Sequence, residues 1–202
     1  MIEFIEETHQ YVLNGVLVSS VSEILHFIFP DKYKGVDKRI LNKKAEYGTR
    51  VHEAIEMYEK ELKVNNQETA FMNAVNGEKL NYIQEASLRQ YVKLKRENDI
   101  EVIKQEQMIH YEDLYAGRFD MIAKIGGKIC LCDIKTTAEL DMEYLSWQLS
   151  FYELATGKQF DDLYAIWLPK KELGQLVKIQ RKTKEELKNK LKEFMESRGK
   201  YE

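Results

Sequence analysis

Residues 117–137 read GRFDMIAKIGGKICLCDIKTT, and the fold is decided by how this stretch pairs with itself. Two apolar runs, FDMIAKI and KICLCDIK, flank Gly126-Gly127. Two adjacent glycines supply the positive φ angles of a tight turn, so the stretch is expected to be a β-hairpin. Each run carries one aspartate among apolar neighbours, Asp120 in the first and Asp133 in the second. Side chains alternate along a strand, so Asp133 and Lys135 face the same way. Buried carboxylates are costly unless something pairs with them. Two carboxylates and an ammonium on neighbouring strands make a natural divalent-metal site with a cationic partner. The same residues also fit a surface hairpin carrying a salt bridge, since charged strand residues usually face solvent.

Working outward, the chain has 202 residues, 44% of them apolar and 32% charged. That suits one soluble domain with a sizeable core. No apolar run approaches a membrane span, and the acidic start MIEFIEETHQ lacks the basic-then-apolar pattern of a secretory signal. Cys130 and Cys132, two apart on one strand, are poorly placed for a disulfide and too few for a cysteine-only metal cluster. Reduced thiols in a cytoplasmic protein are expected.

The net charge of −3 is unevenly spread. Residues 170–202 hold eleven Lys/Arg against six Glu, and residues 31–50 hold seven Lys/Arg against three acids. An acidic pocket with basic flanks suits a phosphodiester substrate. Charge runs on helices can equally be solvated faces.

At the N-terminus, Asn14-Gly15 predicts a hairpin turn, with Phe4, Tyr11 and Leu13 as core candidates. Ser20 stands three residues before Glu23, the capping-box spacing, and predicts a helix over 21–29 that ends at Pro30. Residues 37–63 read as a long helix with Val51, Ile55 and Tyr58 on one stripe. His52 and Glu56, four apart, share another face. A histidine in such a helix is commonly structural. Residues 64–80 suit a short helix and a loop, and 82–96 a second amphipathic helix. A strand is expected over 101–111, where Glu106 stands fourteen residues before Asp120. Antiparallel pairing could bring the two together, or Glu106 could be a solvated strand acid. A helix over 141–155 places Gln148 and Tyr152 on one face, and spacing alone would put Tyr152 in the core. Strands at 162–168 and 175–179 and an amphipathic helix over 184–195 follow, with the ending SRGKYE expected to fray.

Four elements now stand in order: G-x-x-V-H on a helix (Gly48 to His52), G-x-x-D (Gly117 to Asp120), D-x-K (Asp133 to Lys135) and Q-x-x-x-Y (Gln148 to Tyr152). The set resembles the PD-(D/E)XK nuclease superfamily in its RecB-like branch. The opening F-x-x-x-x-H-x-Y-x-x-N-G followed by S-V-S-x-I-L looks like that of small phage-encoded exonucleases. The resemblance implies an α/β fold with a restriction-endonuclease-like core, a central mixed β-sheet flanked by helices. Residues 1–36 would form an N-terminal hairpin and helix and 37–202 the catalytic core of a single domain.

It implies metal-dependent hydrolysis of DNA, in exonuclease mode, within phage-type recombination or repair. Asp120, Asp133 and Lys135 would be catalytic. His52, Asp120, Asp133 and the Ile134 backbone carbonyl would hold Mg²⁺ or Mn²⁺, the histidine favouring Mn²⁺. Gln148 and Tyr152 would contact DNA and order the site, with Glu106 and Glu56 behind the ligands. The expected partners are DNA, a single-strand annealing protein and further copies of the chain, in a bacterial host's cytoplasm. The iron–sulfur cluster of some relatives is excluded by the cysteine count, and no Walker-type loop is present. The alternatives are a nuclease-fold module that binds DNA without cutting it, in recombination or packaging, and a metal-dependent hydrolase acting on something other than DNA.

Overall fold

The computed structural model describes residues 1–199. It has an α/β architecture in which one mixed sheet lies between two layers of helices. The chain opens with a meander of three strands, β1 (Ile2–Ile5), β2 (Gln10–Leu13) and β3 (Val16–Ser20). The β2–β3 turn is Asn14-Gly15 with φ of +51° and +84°, as the dipeptide predicts. The extra strand β1 was not expected; Phe4 pairs across to Tyr11 and is half-buried rather than core. Helix α1 (Val21–Ile28) starts on the expected capping box. Glu23 N–H donates to Ser20 Oγ at 3.0 Å, and Ser20 N–H donates to Glu23 Oε2 at 2.7 Å.

Three helices follow: α2 (Lys38–Glu61), α3 (Gln67–Gly77) and α4 (Tyr82–Glu97). The apolar stripe of α2 buries Val51, Ile55 and Tyr58 against Leu88 and Tyr91 of α4. Strands β4 (Ile100–Tyr111), β5 (Tyr115–Ile125) and β6 (Lys128–Lys135) are antiparallel neighbours. Gly126 and Gly127, at φ +55° and +84°, close the β5–β6 hairpin. Helix α5 (Met142–Thr156) crosses over to β7 (Asp162–Trp167), which runs parallel to β6. Strand β8 (Gln175–Ile179) and helix α6 (Lys184–Arg198) complete the chain. The described part of the ending expected to fray is ordered. Ser197 and Arg198 are still helical, because Arg198 bonds the Ser19 hydroxyl and lies near Glu23. Residues 200–202 lie outside the described residues.

Alternation along β6 divides the core. Cys130, Cys132 and Ile134 pack with α2, α3 and α4, while Leu131 packs with α1, α5 and α6. Both cysteines are free and buried. Asp133 and Lys135 therefore share the Leu131 face.

The sheet forks at β5. Pairing with β6 runs only from Ile125↔Lys128 to Met121↔Cys132, while β6 continues beside β7 to Lys135↔Trp167. At the other end of the same edge, β3 meets β5 in parallel at Ser19↔Tyr115 and Ser20↔Ala116. Among the described residues no strand pairs with 117–120 on that edge. Phe119 sits in the core under α5 and Met121 in the core under α2, so the two-residue alternation breaks at Asp120.

Candidate active site

The fork sets out the polar groups. Asp120 Oδ2 accepts the Ile134 backbone N–H at 2.7 Å, so this carboxylate bridges the gap where β5 and β6 part. His52, on the α2 face that looks at the fork, places Nε2 3.0 Å from the Ile134 carbonyl and Nδ1 3.6 Å from Asp120 Oδ2. Gln105↔Met121 and Gln107↔Phe119 bracket Glu106 opposite Asp120. Glu106 has φ +47°, the left-handed region that non-glycine residues seldom occupy. A register shift lies just before it, between Val102 and Lys104. Local irregularities of this kind re-aim side chains beside functional sites. Here Glu106 joins His52 and Asp120, and one donor atom from each lies within 4.8 Å of the others.

Asp133 lies beside this trio and is not one of it. Its side chain is 2% exposed, and its Oδ2 is 2.5 Å from Lys135 Nζ. Among the described residues the Lys135 ammonium is the polar group that meets this oxygen. Burial, with the nearby Asp120 charge, pushes Asp133 up to about 6 even against the pull of Lys135. Burial works against the Lys135 ammonium, but Asp133 and Asp120 outweigh it and hold its pKa above the ordinary value. Glu106 rises to about 7, first from burial and then from Asp120, with Arg118 partly offsetting both.

Gln148 and Tyr152 approach from α5. Gln148 Nε2 reaches the Tyr152 hydroxyl at 3.4 Å, and Gln148 Oε1 is buried without a hydrogen-bond partner among the described residues. Tyr152 is almost fully buried, its pKa pushed well up by burial and then by the Asp133 charge. Its ring explains Gly117: a Cβ there would fall 2.8 Å from Tyr152 Cε1 and 3.1 Å from Val21 Cγ2. The second and fourth motifs are thus one packed contact. Glu56 is held by Lys60 at 2.6 Å and acts on Glu106 only through its charge.

The structure thus brings together His52, Glu106, Asp120, Asp133, Lys135 and the Ile134 backbone. Two residues near them were not anticipated. Arg118 places Nε 3.0 Å from Glu106 Oε2, and the Tyr11 hydroxyl lies in the field of both. Arg118 stands inside the G-x-x-D motif, and that position was the available signal. For Tyr11 there was none, because its role depends on the meander folding back to the fork.

The cluster fits a hard divalent cation. Gln148 Oε1, buried without a hydrogen-bond partner among the described residues, is here, beside the buried Asp133 carboxylate that meets the Lys135 ammonium. The donor set is one imidazole and several carboxylates, two of them raised in pKa by burial and mutual repulsion. A positive ion relieves that repulsion.

Among solved structures, SSO0001 is similar at 15% identity and TM-score 0.38, over 71% of this chain and 72% of that one. LHK-Exo in complex with dAMP is similar at 15% identity and TM-score 0.40, over 75% and 90%. The alkaline exonuclease LHK-Exo from Laribacter hongkongensis is similar at 14% identity and TM-score 0.38, over 76% and 91%. A search of curated proteins finds no match. The sequence profile of the PD-(D/E)XK nuclease superfamily matches residues 28–199, which span the fork, both D-x-K residues and α5. The chain belongs to the PD-(D/E)XK nuclease superfamily.

Proposed function

We propose that this chain is a divalent-metal-dependent deoxyribonuclease that hydrolyses DNA phosphodiester bonds, as an exonuclease in recombination or repair. The observation that carries the reading is the convergence of His52, Glu106 and Asp120 donor atoms within 4.8 Å, beside the buried Asp133–Lys135 pair. His52, Glu106, Asp120 and Asp133 would hold Mn²⁺ or Mg²⁺, with the Ile134 carbonyl next to them. Such an ion, when bound, offsets phosphate charge and makes water nucleophilic at neutral pH. Lys135 sets an ammonium against the negative charge that develops on the phosphate. Its raised pKa suits a stabilising cation better than a proton acceptor. Gln148 offers its Oε1 as an acceptor to the attacking water, and Tyr152 fixes Gln148 and seats β5 through Gly117. The exonuclease mode rests on the likeness of the opening motif to phage exonucleases.

The test is degradation of end-labelled linear duplex against covalently closed circles in Mn²⁺, with Asp133→Ala and Lys135→Ala as controls. The expected result is loss of linear DNA only, with each variant slower by at least about a hundredfold. Wild-type cleavage by either folded variant would sink the site assignment. Cutting of circles would make the enzyme an endonuclease. Binding without cutting would favour the non-catalytic module.

A further inference from the structure

The meander ends in an aromatic and cationic rim that the hydrolytic chemistry does not use. Phe4 and Tyr11, cross-strand partners on β1 and β2, have ring centroids 4.8 Å apart. His9, in the turn between those strands, is 5.8 Å from Phe4. Arg118 Cζ lies 5.5 Å from the Phe4 ring centroid, within cation–π range. The same guanidinium touches Glu106 through Nε, so the rim is continuous with the carboxylate cluster. Tyr11 is buried and braces Phe4, whereas Phe4 is half-buried and the Arg118 side chain is 45% exposed. Among the described residues the ion pair of Arg118 is made through Nε, to Glu106 Oε2 at 3.0 Å. Residues 1–27, which supply both aromatics, precede the stretch that matches the family.

We propose that Phe4, Tyr11 and Arg118 form a platform for one unpaired nucleotide, stacking its base on Phe4 and holding its phosphate on Arg118. The proposal rests on reading the adjoining cluster as a nuclease centre. A half-buried aromatic ring beside a guanidinium offers a π-face and a hydrogen-bond donor for phosphate about one nucleotide apart, the chemistry of single-strand capture. A base inside a duplex has both faces covered by its neighbours and cannot use such a platform. The platform therefore selects single strands and frayed ends over intact blunt duplex. Arg118 has two partners to choose from.

The test is fluorescence anisotropy of internally labelled oligo-dT and of a fully paired blunt duplex with GC-rich ends. Ca²⁺ replaces Mn²⁺, and wild type, Phe4→Ala and Phe4→Trp are compared. Phe4→Ala should weaken oligo-dT binding about tenfold, leave duplex binding within about twofold, and be rescued by Phe4→Trp. Equal loss on both ligands, no loss on either, or failure of Phe4→Trp to rescue would overturn the platform. Cleavage in Mn²⁺ is measured on the same samples. Single-strand preference without cleavage keeps the platform and removes the nuclease reading; cleavage without that preference does the reverse.

Discussion

Replacing Glu106 by glutamine removes a charge that the fold holds at a loss. Glu106 is raised from 4.5 to about 7, by burial first and Asp120 second. Its side chain is 21% exposed, so solvent screens it only in part. The native carboxyl binds its proton more tightly than the unfolded one. Stability therefore falls as pH rises from 4.5, and the full cost is present above about 7. At about 1.36 kcal/mol per pH unit, that interval corresponds to roughly 3 kcal/mol as an upper bound. Glutamine cannot ionise. In EDTA at pH 8 the Glu106→Gln protein should be more stable than wild type by up to about 3 kcal/mol, and the difference should vanish near pH 4. For a domain of this size that is a gain in Tm of up to roughly 6–12 °C. Arg118 loses its partner, but it is half exposed and water replaces the contact. With Mn²⁺ the order should reverse, because the variant has one carboxylate donor fewer. Thermal and urea melts of both proteins at several pH values, with and without Mn²⁺, measure all of this. A variant less stable than wild type at pH 8 in EDTA, or a gap that does not change with pH, would refute the reasoning.

Mn²⁺ binding should weaken as pH drops below about 7 and should release protons, since Glu106 at about 7 and Asp133 at about 6 must both give theirs up. Titration calorimetry in two buffers of different ionisation enthalpy reads the proton count, and a count near zero at pH 6 would exclude these two acids as ligands. Gly117→Ala should cost about 1–3 kcal/mol, because the new methyl meets the Tyr152 ring at 2.8 Å in a packed core. Combining it with Tyr152→Ala should cost less than the sum of the two, and strict additivity in urea melts would deny the contact.

How far the chain could be read in advance follows from how local each feature is. The β5–β6 hairpin, the Ser20–Glu23 capping box and the stripe on α2 depend on neighbouring residues, and each forms as its residues dictate. The order of the four motifs along the chain points to the superfamily, because it is a property of the sequence alone. The extra strand β1 escaped notice because four residues with no turn dipeptide carry little periodic signal. Glu106 could be proposed from its distance to Asp120 along the chain. Its aim could not, because that depends on a backbone irregularity opposite Asp120.

The sequence by itself determined the hairpin, the helix starts and the identity of the acids, since turn chemistry, capping and side-chain alternation act within a few residues. Tertiary structure alone decided which of those acids meet. The fork between β5 and β6 strips a strand partner from residues 117–120, so the Asp120 side chain closes the gap on the Ile134 amide. Helix α2 then delivers His52 to the Ile134 carbonyl from more than eighty residues away in the chain. Pairing of β3 with β5 brings the aromatic rim to the edge of the cluster. Contacts of that kind join residues far apart in sequence, and no periodicity or spacing encodes them.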